Sequence, residues 1–269
     1  MCRLLGYLGS PTRLENLIYK PEHSLVVQSY QPRQMTSGVV NADGFGVGWY
    51  HPQQVSEAFT YRSTVPIWND ANLPSLSRYI ESGCVLAYVR SATAGQALDV
   101  SNCQPFVADR LSCIHNGFIE NFRQTLYRPI RDRLSDKIYQ MIRGTTDSEH
   151  IFGLFLQEVQ SSPELPLEKS LYKTLTILAD LAQVYQTSVS ANLILSDGQR
   201  LVASRYAVRG NPDAPPLPAP SLYWLQDHPL FPQAVLIASE PLFPGNWMRC
   251  PDRCVLTVGD DLDVQIHQF

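Results

Sequence analysis

Apolar and polar positions alternate along two parts of the chain and recur at helical spacing between them. Strand-like runs are RLLGYL (3–8), DGFGVGWYH (43–51), GCVLAYVRS (83–91), RLSCIHNG (110–117), VSANLILSD (189–197), RLVASRYAV (200–208), AVLIASE (234–240), RCVLTVG (253–259) and LDVQIHQF (262–269). They are rich in Val, Ile, Leu and Tyr and are bounded by Gly, Pro, Asn and Asp, the composition of pleated segments between turns. Helices are predicted over 72–81, after Asn121, over 146–160 and over 168–185. The third opens with Thr146 three residues before Glu149, a capping-box spacing, and continues with Ile151, Phe152, Phe155, Leu156 and Val159 on one helical face. Strands, then helices, then strands again predict an α+β chain built as two sheets covered by helices. NPDAPPLPAP (211–220) allows neither helix nor central strand and reads as a stiff surface loop within a single domain spanning 1–269. No internal repeat is present.

Composition narrows the function. With 269 residues, 44% hydrophobic and 17% charged, the chain is globular rather than disordered. A net charge of -4 with no long Lys/Arg run argues against a nucleic-acid binder. A small-molecule substrate or a protein partner fits better. No run of about 18 apolar residues and no secretory start appear, so a cytoplasmic protein without a membrane partner is expected. The six cysteines (Cys2, Cys84, Cys103, Cys113, Cys250, Cys254) are scattered, which suits a reducing compartment without disulfides. Cys250 and Cys254 have the spacing of half a metal site, but no second Cys/His pair lies near them in sequence, so no metal is expected.

Cys2 directly follows Met1 in MCRLLGYLG. Removal of Met1 would leave a thiol and a free α-amine on one residue. An α-amine titrates near ~7.7–8.0, so it can accept the thiol proton around neutral pH, and the thiolate is the nucleophile. The alternative is a small apolar residue starting a strand.

Four further stretches carry candidate chemistry. In CIHNGFIEN (113–121), Asn116-Gly117 reads as a hairpin turn. It also reads as two donors, a side-chain amide and a backbone N–H, that converge on a developing oxyanion. AYVRSATAG (87–95) ends a strand with Arg90, whose planar fork suits a carboxylate; a surface ion pair is the plainer reading. Asp147 stands at the start of the capped helix, where the helix N-terminus favours it, and could also hold a substrate ammonium. NADGFGVGWY (41–50) is glycine-rich but runs into a strand and lacks GKS or GKT, so its glycines predict close approach of another segment rather than a nucleotide loop. A Cys–His arrangement through His115 is disfavoured, because an N-terminal cysteine supplies its own base.

Together these pieces resemble the class II glutamine amidotransferase domain, an N-terminal-nucleophile hydrolase. The resemblance implies a four-layer αββα sandwich in which Cys2 attacks a side-chain amide. It places Asn116 and the Gly117 N–H in the oxyanion hole. Arg90 in RSATAG is implied to bind the substrate α-carboxylate and Asp147 in TTDSEH its α-ammonium, with Thr93 and His115 of the same motifs also at the substrate. Ser91 and Ala94 stand where ammonia-producing members commonly carry Trp and His, which implies a different fit around the substrate and a free-standing hydrolase. Within the superfamily, MCRLLGYLG, LVVQSYQPR, NADGFGVGWY, PIWND, SGCVLAYVRSATAG and IASEPL resemble the γ-glutamyl hydrolases of ergothioneine biosynthesis. That likeness implies γ-glutamyl-hercynylcysteine sulfoxide as substrate and no metal or organic cofactor. The trimethylammonium of such a leaving group suits aromatic faces, for which Trp49, Trp68, Tyr30 and Tyr7 are candidates.

Overall fold

The computed structural model describes residues 1–35, 38–51, 54–93, 95–211 and 213–269, with backbone alone at 54–56. The first half runs β1 (Arg3–Arg13), α1 (Leu14–Ile18), α2 (Leu25–Tyr30), β2 (Phe45–His51), β3 (Gln54–Ser63), α3 (Leu73–Tyr79), β4 (Glu81–Val89), β5 (Phe106–Ala108) and β6 (Leu111–Ile119). Helices α4 (Tyr127–Arg131), α5 (Asp136–Met141), α6 (Asp147–Ser161) and α7 (Leu167–Val184) follow. The chain closes with β7 (Ser188–Ser196), β8 (Leu201–Arg205), β9 (Ala207–Arg209), β10 (Tyr223–His228), β11 (Phe231–Ala238), β12 (Met248–Arg249), β13 (Cys254–Val258) and β14 (Val264–Gln268).

Strand alternation sorts these segments into layers. In β1, Leu5 and Tyr7 pack with Leu14, Leu17, Leu25 and Leu73 beneath α1–α3. Leu4 and Leu8, on the other face, join Leu86 and Tyr88 of β4 against Ile114, Ile194 and Ala203 of a second sheet. Cys113, Ile119, Leu193 and Leu195 then face Ile151, Phe155, Leu171 and Leu175 of α6 and α7. The result is helix, sheet, sheet, helix. The first sheet has the order β12-β10-β11-β1-β4-β2-β3 and the second β14-β13-β8-β7-β6-β5, with β9 also paired to β7. The strands after the proline-rich stretch complete both sheets; Pro212 within that stretch lies outside the described residues.

Strand β1 is central, paired antiparallel to β11 and β4. The Leu4 N–H donates to Ser239 Oγ at 2.9 Å and Arg3 pairs with Val89, so the residues next to Cys2 are held from both sides.

The structure corrects several sequence expectations. Asn116-Gly117 is not a hairpin turn: both residues lie inside β6, opposite Asn192 and Ala191 of β7. Gly117 is required there by crowding, since a Cβ would overlap the Ser190 carbonyl oxygen and stand 2.5 Å from His115 Nε2. The capping box is half formed. Thr146 Oγ1 accepts the Glu149 N–H at 3.3 Å, but the Glu149 carboxylate turns back to the N–H groups of Arg143 (2.9 Å) and Gly144 (2.6 Å). Helices α1 and α2, five and six residues long, are too short to leave a periodic signal. The glycines of NADGFGVGWY do mark a close approach, because a Cβ on Gly46 would overlap the Gln104 carbonyl oxygen.

Candidate active site

Cys2 lies one step beyond the β1–β4 ladder. Pairing of Arg3 with Val89 and Leu4 with Tyr88 sets Cys2 beside Arg90, and its Sγ stands 3.8 Å from the Ser91 carbonyl oxygen. Tyr88 also pairs with Gly46, whose backbone abuts the Gln104 carbonyl. The Gln104 side chain clamps β6 at His115, accepting its N–H at 2.5 Å and donating to its carbonyl at 3.2 Å. Cys2 and Asn116 therefore lie at the same end of the two sheets.

Asn116 projects from the β6 face that carries Ile114 toward the first sheet, whereas His115 points to the helical side. Its side chain is 1% exposed, and neither Oδ1 nor Nδ2 has a hydrogen-bond partner among the described residues. Such a group costs free energy unless a ligand completes it. Along the free edge of β6 the His115 N–H is taken by Gln104 and the Ile119 N–H by Asp147 Oδ2 at 2.7 Å. Alternation turns the Gly117 N–H to that same edge, between them.

Arg90 is 3% exposed. Its backbone is pinned by N–H donation to the Gly44 carbonyl (2.8 Å), and its carbonyl accepts the Asp43 N–H (3.1 Å). The guanidinium reaches the Asp43 and Ala97 carbonyls and Gln96 Oε1, each at 3.4 Å. All three acceptors are neutral, so the site offers this cation to an anionic ligand group. Asp147 begins α6, with Oδ1 accepting the Ser148 N–H at 2.8 Å and Oδ2 the Ile119 N–H.

His115 is enclosed in the fold. It is 1% exposed, its Nδ1 meets Ser148 Oγ at 2.8 Å and its Nε2 the Ser190 carbonyl at 3.2 Å. Burial pushes its pKa down, so the ring is neutral, with Nε2–H donating to Ser190 and Nδ1 accepting from Ser148. Both nitrogens are used internally. These contacts tie β6 and β7 to α6. Thr93 is exposed on the turn after β4, where its carbonyl accepts the Gln96 N–H at 3.0 Å. Ser91 is at the Cys2 thiol through its carbonyl, and Ala94 lies outside the described residues.

Burial raises the Cys2 thiol pKa, opposed by the Ser91 contact, the chain amine, Arg90 and Arg3. Burial also lowers the pKa of the α-amine, here that of Met1, which makes the neutral, proton-accepting form more accessible. Beneath Cys2, buried Arg3 pairs with Glu240 at 2.9 Å. The same carboxylate takes His23 Nε2 (2.8 Å) and the N–H groups of Arg33 (2.8 Å) and Gln34 (2.9 Å). Sequence reasoning missed Asp43, Asn102, Gln104, Ser148 and Glu240; of these Asp43, Ser148 and Glu240 fall in motifs already singled out. Of the four candidate aromatics, Tyr7 is buried against Phe231 and Trp49 stacks on Phe59. Tyr30 and Trp68 form an edge-to-face pair with 47% and 43% of their surface exposed.

This arrangement matches a known family. The model of the class II glutamine amidotransferases covers residues 1–210. The chain belongs to the class II glutamine amidotransferases. A class-II glutamine aminotransferase domain protein from Silicibacter pomeroyi superposes with a TM-score of 0.70 at 26% identity, over 100% of this chain and 99% of that one. In sequence, the chain is 30% identical to the Saccharomyces cerevisiae protein named "probable glutamine amidotransferase DUG3", over 96% of this chain and 82% of that protein. It is also 30% identical to the γ-glutamyl-hercynylcysteine sulfoxide hydrolase of Mycolicibacterium smegmatis, over 97% and 96% respectively. The class II fold is the N-terminal-nucleophile sandwich described above, and the chain is an amide-bond hydrolase. Among the described residues no helix is long and apolar enough to cross a membrane.

Proposed function

We propose that this class II amidotransferase-like chain hydrolyses the γ-glutamyl amide of γ-glutamyl-hercynylcysteine sulfoxide, releasing glutamate and hercynylcysteine sulfoxide. The observation that carries the chemistry is the buried, unpartnered Asn116 amide at the Cys2 end of the sandwich. The substrate is argued from end-to-end likeness to the mycobacterial hydrolase and from Arg90, whose hydrogen-bond acceptors among the described residues are all neutral. Arg90 takes the α-carboxylate and Asp147 the α-ammonium, which fixes the γ-carbonyl beside Cys2. With Met1 removed, the Cys2 amine accepts the thiol proton and sulfur attacks the carbonyl carbon. Asn116 Nδ2 and the Gly117 N–H stabilise the tetrahedral oxyanion. The amine then protonates the departing nitrogen, and water attacks the thioester to free glutamate and restore the thiol. The free thiols suit a reducing, cytoplasmic setting.

A second reading, a glutaminase that passes ammonia to a partner synthase, is favoured by the equal identity to the yeast amidotransferase. The test is glutamate release, followed by mass spectrometry, from the sulfoxide and from glutamine, using Met1-processed protein and Cys2→Ala. Faster release from the sulfoxide, lost in Cys2→Ala, is expected. Release from glutamine alone would transfer the assignment to the second reading.

A further inference from the structure

Asn102 touches neither charged group of the bound acyl chain in this reading, yet its side chain links the two segments that hold Arg90 and Asp147. It closes a 3₁₀ turn, Val100–Asn102, that Asp99 caps by accepting the Ser101 N–H at 2.7 Å. The Asn102 side chain is buried at 2% exposure. Its Nδ2 donates to the Ala97 carbonyl at 3.1 Å, and that same oxygen accepts Arg90 Nη2 at 3.4 Å. Its Oδ1 accepts the Thr145 N–H at 2.9 Å. Thr145 precedes Thr146, the N-cap of α6, and Asp147 is the first residue of that helix. One planar amide thus spans from the carbonyl that orients the cation to the turn that launches the anion. The two segments cannot shift independently while both hydrogen bonds hold.

We propose that Asn102 is a positioning residue that fixes the separation of Arg90 and Asp147, and so makes the site demand an α-carboxylate and an α-ammonium together on one acyl group. The inference rests on the γ-glutamyl reading given above. Pre-set spacing favours a ligand carrying both charges, because neither segment has to reorganise when it binds. A ligand with one charge gains nothing from the spacing.

Three chromogenic anilides separate these effects: L-γ-glutamyl-p-nitroanilide, glutaryl-p-nitroanilide, which lacks the ammonium, and 4-aminobutyryl-p-nitroanilide, which lacks the carboxylate. Met1-processed wild type is expected to prefer the first. In Asn102→Ala, losing two hydrogen bonds of ordinary strength, KM for the γ-glutamyl anilide rises roughly tenfold. Its kcat stays within about twofold, the split expected when ground-state and transition-state binding weaken together. Constants for the single-charge anilides barely move, so the preference falls. Asn102→Asp keeps the acceptor for Thr145 and loses the donor toward Ala97, so it relaxes discrimination against the 4-aminobutyryl anilide more than against the glutaryl one. An equal fall in kcat/KM for all three anilides, or an unchanged KM in a folded Asn102→Ala, would overturn the inference while leaving the γ-glutamyl reading intact. Wild type that prefers none of the three would overturn that reading and the inference with it.

Discussion

Replacing Asn116 with Leu separates stability from catalysis, because the two respond with opposite sign. Leu reproduces the branching of Asn, with two methyl groups in place of Oδ1 and Nδ2. Both polar atoms are buried and unpartnered among the described residues. Each such atom costs about 1–3 kcal/mol in an unliganded protein, and an apolar group of the same shape removes that cost. Asn116→Leu should therefore gain about 2 kcal/mol of stability, a rise in Tm of roughly 2–4 °C per kcal/mol for a chain of this size. Activity should move the other way. Loss of one oxyanion donor lowers kcat by about 10²–10³-fold. Urea unfolding of wild type and variant gives the first quantity, and glutamate release from the γ-glutamyl substrate gives the second. A variant destabilised by more than about 1 kcal/mol would mean that the amide is engaged in the fold, in the range of an ordinary lost hydrogen bond. Hydrolysis within about tenfold of wild type would remove Asn116 from the oxyanion hole.

Other substitutions test the surrounding frame. Gly117→Ala drives a Cβ into the Ser190 carbonyl, so β6 and β7 must part; calorimetry should show a clear loss of Tm together with loss of hydrolysis. Glu240→Ala strands the buried Arg3 guanidinium and should cost about 3–5 kcal/mol by urea unfolding, whereas a loss under about 1 kcal/mol would show that Arg3 finds another partner. Acid stability should fall in two stages. Burial holds His150 at about 4 in the fold, against about 6.5 unfolded, so the unfolded state binds more protons between those values. Its contribution is whole above pH 6.5 and declines by up to about 3 kcal/mol toward pH 4, with His115 acting in the same sense. Burial alone would raise the Glu240 pKa, but hydrogen bonds from His23, Arg33 and Gln34 and the charge of Arg3 hold it below its ordinary value. Its contribution is therefore present above the ordinary carboxylate range and is lost as pH falls through the lowered value. Urea titrations from pH 7.5 to 3.5 check both stages, and His150→Gln should flatten only the first.

Much of the fold was legible because its longest segments carry their own periodicity. The central strands β1, β4, β6 and β7 and helices α6 and α7 are apolar enough to announce their type, and all four site motifs fall on or beside them. What escaped notice is short or half polar: α1, α2, the three residues of β5, the two of β12, the mixed sequence of β3, and β10 with its exposed Gln226 and Asp227. The site was legible as residue types and not as geometry. Asn-Gly satisfies a turn and a strand edge equally well until the partner strand is known, and the Ser190 carbonyl decides it. His115 sits one residue from Asn116, so strand parity sends the two side chains to opposite layers, a separation that adjacency in sequence does not reveal. Gln104 and Glu240 act through contacts to segments 11 or more residues away, Gln104 to His115 and Glu240 to Arg3, and Asn102 joins the nearby Ala97 to the distant Thr145, so no local pattern encodes them.

The two sheets divide the candidate site between them. Cys2 and Arg90 come from neighbouring strands of the first sheet and are fixed relative to one another by the β1–β4 register. Asn116, Gly117 and Asp147 belong to the second sheet and its helix, tied together by the Ile119 N–H on Asp147 and by Ser148 on His115. Two needs remain where the halves face each other: among the described residues the Asn116 amide has no hydrogen-bond partner, and the Arg90 guanidinium reaches three neutral acceptors at 3.4 Å. A glutamyl group meets both needs at once. In the proposed reaction its carboxylate would neutralise the cation from one sheet, and the oxyanion formed at its γ-carbon would complete the amide from the other. On that proposal, the capacity left at Asn116 and Arg90 would be spent on the reacting acyl group, which is where preorganised donors lower the barrier most.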